Sequence, residues 1–372
     1  MAVEKGSANS RGHIWLRAET KPQERRTVVT PAVAGELVAA GYRLSVEKSD
    51  QSAFPLGSYI DAGCEIVPQG SWESASDDAI VVGLKELPEQ DTPLRHRHVH
   101  FAHVFKNQRG WQEVLQRFDR GNGSLFDLEY LVDEDGRRVA AFGRWAGYAG
   151  AALAALAWVG QKNGAGPSLE SVEPRGSEES LLTDVQSAVN SVDHKDSPPK
   201  ALVIGAQGRS GRGAVELFEA ANIDVDQWDL AETAVGGPFL QILDYDIVVN
   251  CVFIQSQIPP FITTELLNSP GRKLGVICDV SCDPYGDYNP LPIYDRCTTF
   301  EDPVLRIVEG ERPVDLIAID HLPSLLPVES SEDFAEQLLP TLMRIDKLDS
   351  GVWNRSSKVF HEKMLESKKR DD

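Results

Sequence analysis

Two stretches hold most of the residues whose chemistry a protein can use. The first is "AIVVGLKELP" (79–88), an apolar run that ends in Lys85 and Glu86. The second is "RHRHVHFAHVF" (95–105), which carries His96, His98, His100 and His103. An amine and an imidazole on neighbouring strand ends can serve as a proton donor and acceptor pair. Burial and nearby positive charge draw a lysine toward neutral pH, and histidine titrates there unaided. Lysine is seldom found at a buried strand end without a partner or a task. A surface lysine just past the strand, paired with a neighbouring acid, fits the same pattern, so the residues leave both readings of Lys85 open. They do not rank the histidines either. Alternation puts His98 and His100 on one face with Ala102, and His103 breaks that phase.

Arginines cluster in two further places. Arg17, Lys21, Arg25 and Arg26 lie in "RAETKPQERRTVVTP" (17–31), and Arg137, Arg138 and Arg144 in "DGRRVAAFGR" (135–144). Guanidinium forks bind carboxylates bidentately, so the two clusters suggest a polycarboxylate substrate. For any single arginine, plain surface charge is the competing reading. The chain has 57 acidic and 37 basic residues, a formal net charge of −20. That balance argues against nucleic acid or an anionic membrane as a main partner.

The sharpest motif is "ALVIGAQGRSGRGAVELF" (201–218). An apolar strand runs into Gly205, Gly208 and Gly211, spaced G-x-x-G-x-x-G, with Arg209 and Ser210 inside the turn and a helical pattern after it. Glycines there allow a tight turn and close approach of backbone to a pyrophosphate, and the helix start offers free N–H groups to the anion. Asp229 follows 24 residues after Gly205, at the end of "DVDQWDL". A carboxylate at that point accepts ribose hydroxyls and repels an extra phosphate, favouring NAD over NADP. An aspartate that merely caps a turn is the plainer alternative.

The elements that must position these groups alternate. Strand patterns at 13–17, 43–48, 79–85 and 98–104 are interleaved with helical patterns at 31–42 and 109–118. The alternation restarts at Lys200, with strands at 201–206, 224–230, 246–253 and 273–281. This predicts an α/β fold with parallel sheets and helices on their faces. The 372 residues suffice for two domains. The expected division is 1–142 plus 321–372, a discontinuous domain carrying Lys85 and His103, and 143–320, the nucleotide-binding domain. Residues 161–200, rich in Ser, Glu, Pro and Gly, read as a surface excursion with one short helical patch at 181–189. No apolar run reaches membrane-spanning length, and "AGYAGAALAALAWVG" (146–160) reads as a buried helix. The short polar start shows no secretory signal, and "SKKRDD" is no peroxisomal address. The expected location is cytoplasmic, with the five cysteines reduced. Cys278 and Cys282 have no second ligand pair at metal-binding spacing, so no metal is expected.

Taken together, these blocks resemble one family, the fungal NAD-dependent, lysine-forming saccharopine dehydrogenases. The resemblance runs nearly end to end, through "LRAETKP" (16–22), "GLKELPE" (83–89), "HVHFAHVFKNQRGWQ" (98–112), "LFDLEYL" (125–131), "GRRVAAFG" (136–143), "GGPF" (236–239) and "IDHLPSLLP" (319–327). It implies two Rossmann-like domains with the active site in the cleft between them. It also implies oxidative cleavage of saccharopine by NAD and water to L-lysine and 2-oxoglutarate, the final step of lysine biosynthesis by the α-aminoadipate pathway. By the same resemblance, Lys85 and His103 fall on the acid–base pair, and Glu86 and Glu129 on acids that tune the site. Arg26 and Arg138 match arginines that hold substrate carboxylates, and Lys21 a lysine near the active site. Gly205, Gly208, Arg209, Ser210, Gly211, Asp229, Cys251 and Asp320 fall on the cofactor side. The implied partners are small molecules, with the chain acting as a monomer. The alternative reading is a related NAD-dependent amino acid or opine-type dehydrogenase. Members of the family often carry cysteine where Ser210 stands, and a serine there cannot form a disulfide with Cys251.

Overall fold

A computed structural model describes residues 11–106, 108–164, 168–192, 198–252, 254, 256–284, 286 and 288–370. The chain divides into two compact units, Met1–Ala141 with Ser330–Asp372, and Phe142–Glu329. The return to the first unit therefore comes at 330, not at the expected 321. Leu322, Leu325 and Leu326 explain the difference, because they pack in the core of the second unit.

The first unit runs β1 (Gly12–Leu16), α1 (Pro31–Ala39), β2 (Tyr42–Glu47), α2 (Leu56–Asp61), β3 (Glu65–Val67), β4 (Ile80–Val82), β5 (Arg97–His100), α3 (Trp111–Gly121) and β6 (Ser124–Asp127). Local chemistry sets the starts: Thr30 caps α1 by accepting the Val33 N–H, and Pro31 opens it. All six strands pair in parallel, in the order β3-β2-β1-β4-β5-β6. Ile80, Val81 and Val82 of β4 are all buried, as a strand covered on both faces requires. The strand order reverses between β1 and β4. In such sheets the crevice for ligands opens at the carboxyl ends of the strands that flank the reversal.

The second unit contains α4 (Gly143–Asn163), α5 (Glu178–Ser191), β7 (Lys200–Ile204), α6 (Arg209–Ala220), β8 (Asp224–Trp228), α7 (Leu230–Thr233), β9 (Ile247–Asn250), α8 (Thr264–Leu267), β10 (Val276–Asp279), β11 (Leu305–Val308) and β12 (Val314–Ile317). Its sheet has the order β11-β12-β10-β9-β7-β8 and reverses between β7 and β9. Two apolar clusters cover its faces. Ala201 and Val203 point into one and Leu202 and Ile204 into the other, the two-residue period of a strand. The sheet is parallel, as expected, except at one edge, where β11 runs antiparallel to β12. Helices α9 (Pro327–Leu342) and α10 (Gly351–Arg370) follow, and Phe360 of α10 joins the core of the first unit.

Two other features differ from the sequence expectation or extend it. The segment 161–200 is not only a surface excursion, because α5 lies in it and buries Leu181, Val185 and Val189 in the main core. Those residues recur every four positions, one face of a helix. Residues 165–167 and 193–197 of the segment lie outside the described residues. The small-residue helix α4 packs closely on α6. A Cβ at Gly147 would overlap the Ser210 carbonyl, and one at Gly213 the Arg144 carbonyl. Among the described residues no helix is long and apolar enough to cross a membrane.

Candidate active site and nucleotide turn

In the first unit, the carboxyl end of β1 holds the turn that follows β4. Past β1 the chain supplies Arg17 and Glu19, both buried. The Glu19 carboxylate accepts the backbone N–H groups of Leu84 at 2.6 Å and Lys85 at 2.9 Å. The Arg17 guanidinium donates to the Lys85 carbonyl and lies 3.5 Å from Glu19. Gly83 leaves the space that Arg17 fills, since a Cβ there would overlap the guanidinium. On the other side, the Phe101 N–H donates to the Leu84 carbonyl at 2.9 Å, so the chain beyond β5 runs beside the Lys85 turn.

His103 then leaves the strand phase. Its φ of 54° lies in the left-handed region, and this turns its ring away from the face that His96, His98 and His100 share. Those three are almost wholly buried and stack edge to face, with centroids 6.2 and 5.9 Å apart, against Trp72 and Phe118. Burial holds His98 and His100 well below the ordinary histidine pKa, so they are neutral core residues. His103 instead keeps 40% of its side chain exposed and places Nδ1 3.1 Å from Glu86 Oε1. Its pKa is raised by the hydrogen bond to Glu86, against burial and the charge of Lys85.

Glu86 bridges Lys21 and His103. Its Oε2 lies 2.6 Å from Lys21 Nζ, while Oε1 faces His103. Burial pushes the Glu86 carboxyl up, but the bonds from His103 and Lys21 outweigh it and hold the group far below the usual carboxylate range. The Lys85 ammonium is close enough to lower both His103 and Glu24 electrostatically. Arg26 is buried and gives Nε and Nη2 to Glu24 at 2.8 and 2.7 Å, so a carboxylate of the chain itself occupies that edge of the fork. Asp127, at the end of β6, accepts the N–H groups of Ala102 at 3.0 Å and Glu129 at 2.8 Å. Burial pushes its pKa up to about 6. Glu129 pairs with Lys106 at 2.8 Å. Arg138 is exposed, at an isolated antiparallel bridge to Val132. The space bounded by Arg17, Glu19, Glu24, Arg26 and Tyr59 holds about 40 Å³, enough for water but not for a substrate.

The structure thus brings Lys21, Lys85, Glu86 and His103 into one electrostatic cluster. Sequence reasoning did not assign Glu19, Glu24, Lys106 or Asp127. For Glu19 and Asp127 the available signal was an acid immediately beyond, or ending, a buried strand, as in "LRAE" and "LFD".

In the second unit, Gly205 turns with φ +80° and donates its N–H to the Trp228 carbonyl at 2.8 Å. Gly208 caps α6. A Cβ at Gly211 would overlap the Gly205 carbonyl, so only glycine lets the helix start this close to the strand end. Arg209 and Ser210 occupy the first turn of α6. Asp229, at the end of β8, accepts the Gln207 N–H with Oδ2 and the Leu230 N–H with Oδ1, each at 2.9 Å. It both caps α7 and pins the glycine turn, and a carboxylate retains lone pairs for further donors. Cys251 follows β9 and donates its N–H to Ile204 at 2.9 Å; burial pushes its thiol pKa up. Asp320 is exposed, just beyond a parallel bridge between Thr298 and Ile319. The backbone cradle and the start of the twelve-residue α6 fit a pyrophosphate, and the partly exposed Asp229 fits ribose hydroxyls.

Residues 15–149 match the family described as alanine dehydrogenase/PNT, N-terminal domain. Curated relatives named saccharopine dehydrogenase (NAD(+), L-lysine-forming) are similar over nearly the whole chain. The protein from Neurospora crassa is 48% identical over 358 residues, covering 94% of this chain and 96% of its own. The one from Schizosaccharomyces pombe is 47% identical over 357 residues, covering 94% and 97%. The one from Candida albicans is 46% identical over 365 residues, covering 93% and 96%. Among solved structures, an L-alanine dehydrogenase superposes with a TM-score of 0.65 at 16% identity, covering 94% of this chain and 93% of its own. A transhydrogenase from Sinorhizobium meliloti superposes with a TM-score of 0.64 at 15% identity, covering 92% and 97%. At such identities the structural likeness speaks for the fold alone.

Proposed function

This chain belongs to the NAD-dependent, L-lysine-forming saccharopine dehydrogenase family, and from that premise we propose which of its residues carry the reaction. It is an oxidoreductase that cleaves saccharopine with water to L-lysine and 2-oxoglutarate. NAD, when bound, supplies the acceptor for the hydride leaving the carbon beside the secondary amine. The chain's own residues must then manage protons at that amine, at the attacking water and at the departing lysine nitrogen.

Lys85 and His103 are the acid–base pair in this reading. What supports it is their placement beyond the ends of neighbouring strands β4 and β5, with Glu86 facing His103 at 3.1 Å and Lys21 at 2.6 Å. Glu86 keeps His103 in reach of its protonated form, while Lys85 opposes that charge, so a proton can move either way at modest cost. Arg26 and Arg138 hold substrate carboxylates, a ligand competing with Glu24 for the Arg26 fork, and Glu129 balances the site charge through Lys106. The glycine turn holds the NAD pyrophosphate, Asp229 binds the ribose hydroxyls and disfavours a 2′-phosphate, and Cys251 and Asp320 line the cofactor side. The chain acts as a monomer in the cytoplasm; a sedimentation mass of two or more chains would refute the first half of that statement.

The test is Lys85→Met. Turnover of saccharopine with NAD should fall by at least ~100-fold, while NADH still binds, read by its fluorescence. Turnover comparable to the parent's would remove Lys85 from the acid–base pair.

A further inference from the structure

The second unit carries a pair of thiols that the reaction does not use. Just past β10 the chain turns at Cys282, whose φ of 47° is unusual for a residue other than glycine. Fifteen residues later Cys297 returns to the same point, and the two sulfurs are 3.2 Å apart. The Cys282 thiol also donates to the Ala318 carbonyl at 3.1 Å. Both cysteines are free and half-buried. A metal is the other common use of paired thiols, but no group of three His, Cys, Asp or Glu among the described residues could hold one.

We propose that Cys282 and Cys297 form a reversible disulfide when the protein meets a small-molecule disulfide of the glutathione class, and that closing it weakens dinucleotide binding. The distance carries the first half. A disulfide needs an S–S separation of about 2.05 Å, so the sulfurs have roughly 1.2 Å to travel. Cys297 reacts first, because exposed Asp295 and Arg296 precede it, whereas Cys282 packs against an apolar cluster. The Cys297 thiolate attacks one sulfur of the small disulfide and expels the other as a thiolate. Cys282 then gives its proton to solvent and attacks the Cys297 sulfur. That forms the protein disulfide and releases the second small thiol. Two protein thiols are oxidised and one small disulfide is reduced to two thiols, so the exchange balances.

Neighbouring bonds carry the second half, which rests on reading the glycine turn as the dinucleotide site. Ser281, next to Cys282, donates its hydroxyl to the Val252 carbonyl at 2.8 Å. The Val252 Cγ2 atom lies 2.8 Å from the point a Cβ on Gly205 would take. Asp279 accepts from Asn250 Nδ2 at 2.9 Å and from the Tyr294 hydroxyl at 2.7 Å, tying the returning segment to the end of β9. Drawing Cys282 toward Cys297 pulls it off the Ala318 carbonyl and disturbs the Ser281 bond beneath the glycine turn.

The full chain is incubated with mixtures of oxidised and reduced glutathione, alkylated, digested without reductant and analysed by mass spectrometry. A Cys282–Cys297 cross-linked peptide that dithiothreitol reverses supports the proposal. Glutathione retained on either cysteine without the cross-link, or a pair still reduced in pure oxidised glutathione, overturns it. NADH affinity is measured on both forms. The cross-linked protein should bind at least threefold more weakly, and Cys297→Ser given the same treatment should not change. Unchanged affinity after full cross-linking defeats the coupling alone. Reduced protein that binds no NADH defeats the cofactor reading of the turn, and the coupling with it.

Discussion

His98 should cost the protein stability in acid, and the size of the cost follows from its surroundings. Its side chain is wholly buried, and neither ring nitrogen has a hydrogen-bond partner in the described structure. Burial, the rings of His96 and His100, and the charges of Arg17 and Arg117 all disfavour its protonated form. The folded pKa is therefore far below the unfolded value of about 6.5. The unfolded chain takes up a proton as pH falls through that value and the folded chain does not. The stability that neutral His98 permits is thus complete above about pH 6.5 and drains steadily below it, toward the depressed folded pKa. A histidine that stays neutral in the folded chain over that range costs about 1.4 kcal/mol between pH 7.5 and 5.5. His100 is depressed in the same way and doubles the loss to about 2.7 kcal/mol. Urea unfolding of the parent and of His98→Leu at both pH values isolates the term, because every other titrating group cancels in the comparison. The parent should lose about 1.4 kcal/mol more than the variant on acidification. Equal losses would mean that His98 is protonated, or solvated, in the folded state.

Two further changes probe the site and its scaffold. Glu86→Gln should lower the His103 pKa, because the hydrogen bond to Glu86 is the largest influence raising it; an unmoved imidazole resonance in an NMR titration would contradict the pairing. Gly147→Ala should destabilise by about 1–3 kcal/mol and weaken NADH binding, since the added methyl would overlap Ser210 in the first turn of α6. A fully stable variant would mean that α4 and α6 pack more loosely than this.

Much of the fold was legible because its strands are buried on both faces. Continuous apolar runs such as "AIVV" and "IVV" (247–249) stand out from composition alone, and "TP" before "AVAGEL" marks a capped helix start. Parallel pairing was legible from the alternation of strands and helices, but its one exception was not. The run "LRIV" in β11 is only partly buried and sits at the sheet edge, where nothing in its own residues distinguishes antiparallel from parallel. Helix α5 was half legible. Its apolar stripe is regular, but the Ser- and Glu-rich residues around it suggested solvent, and only the packing against α4 shows what the stripe is for.

The candidate site divides along the same line. Lys85 and Glu86 announce themselves by interrupting an apolar run, a property of one strand. Selecting His103 from four histidines needs a backbone angle, the left-handed turn that lifts its ring out of the buried stack toward Glu86. The work of Glu19 needs more still. It lies 65 and 66 positions from the Leu84 and Lys85 N–H groups that it accepts, and it meets them only because β1 and β4 are neighbours across the reversal in strand order. Asp127 bridges 25 positions in the same manner, from the end of β6 to the turn beside His103. Carboxylates like these leave no motif, because a motif records spacing along the chain and their partners are set by spacing across the sheet. Each accepts two backbone N–H groups while buried, so neither can be exchanged for an apolar residue without leaving donors unsatisfied. Lys85 and Glu86 are therefore the readable part of the candidate site, and the acids that hold the neighbouring turns become visible only once the strand order is known.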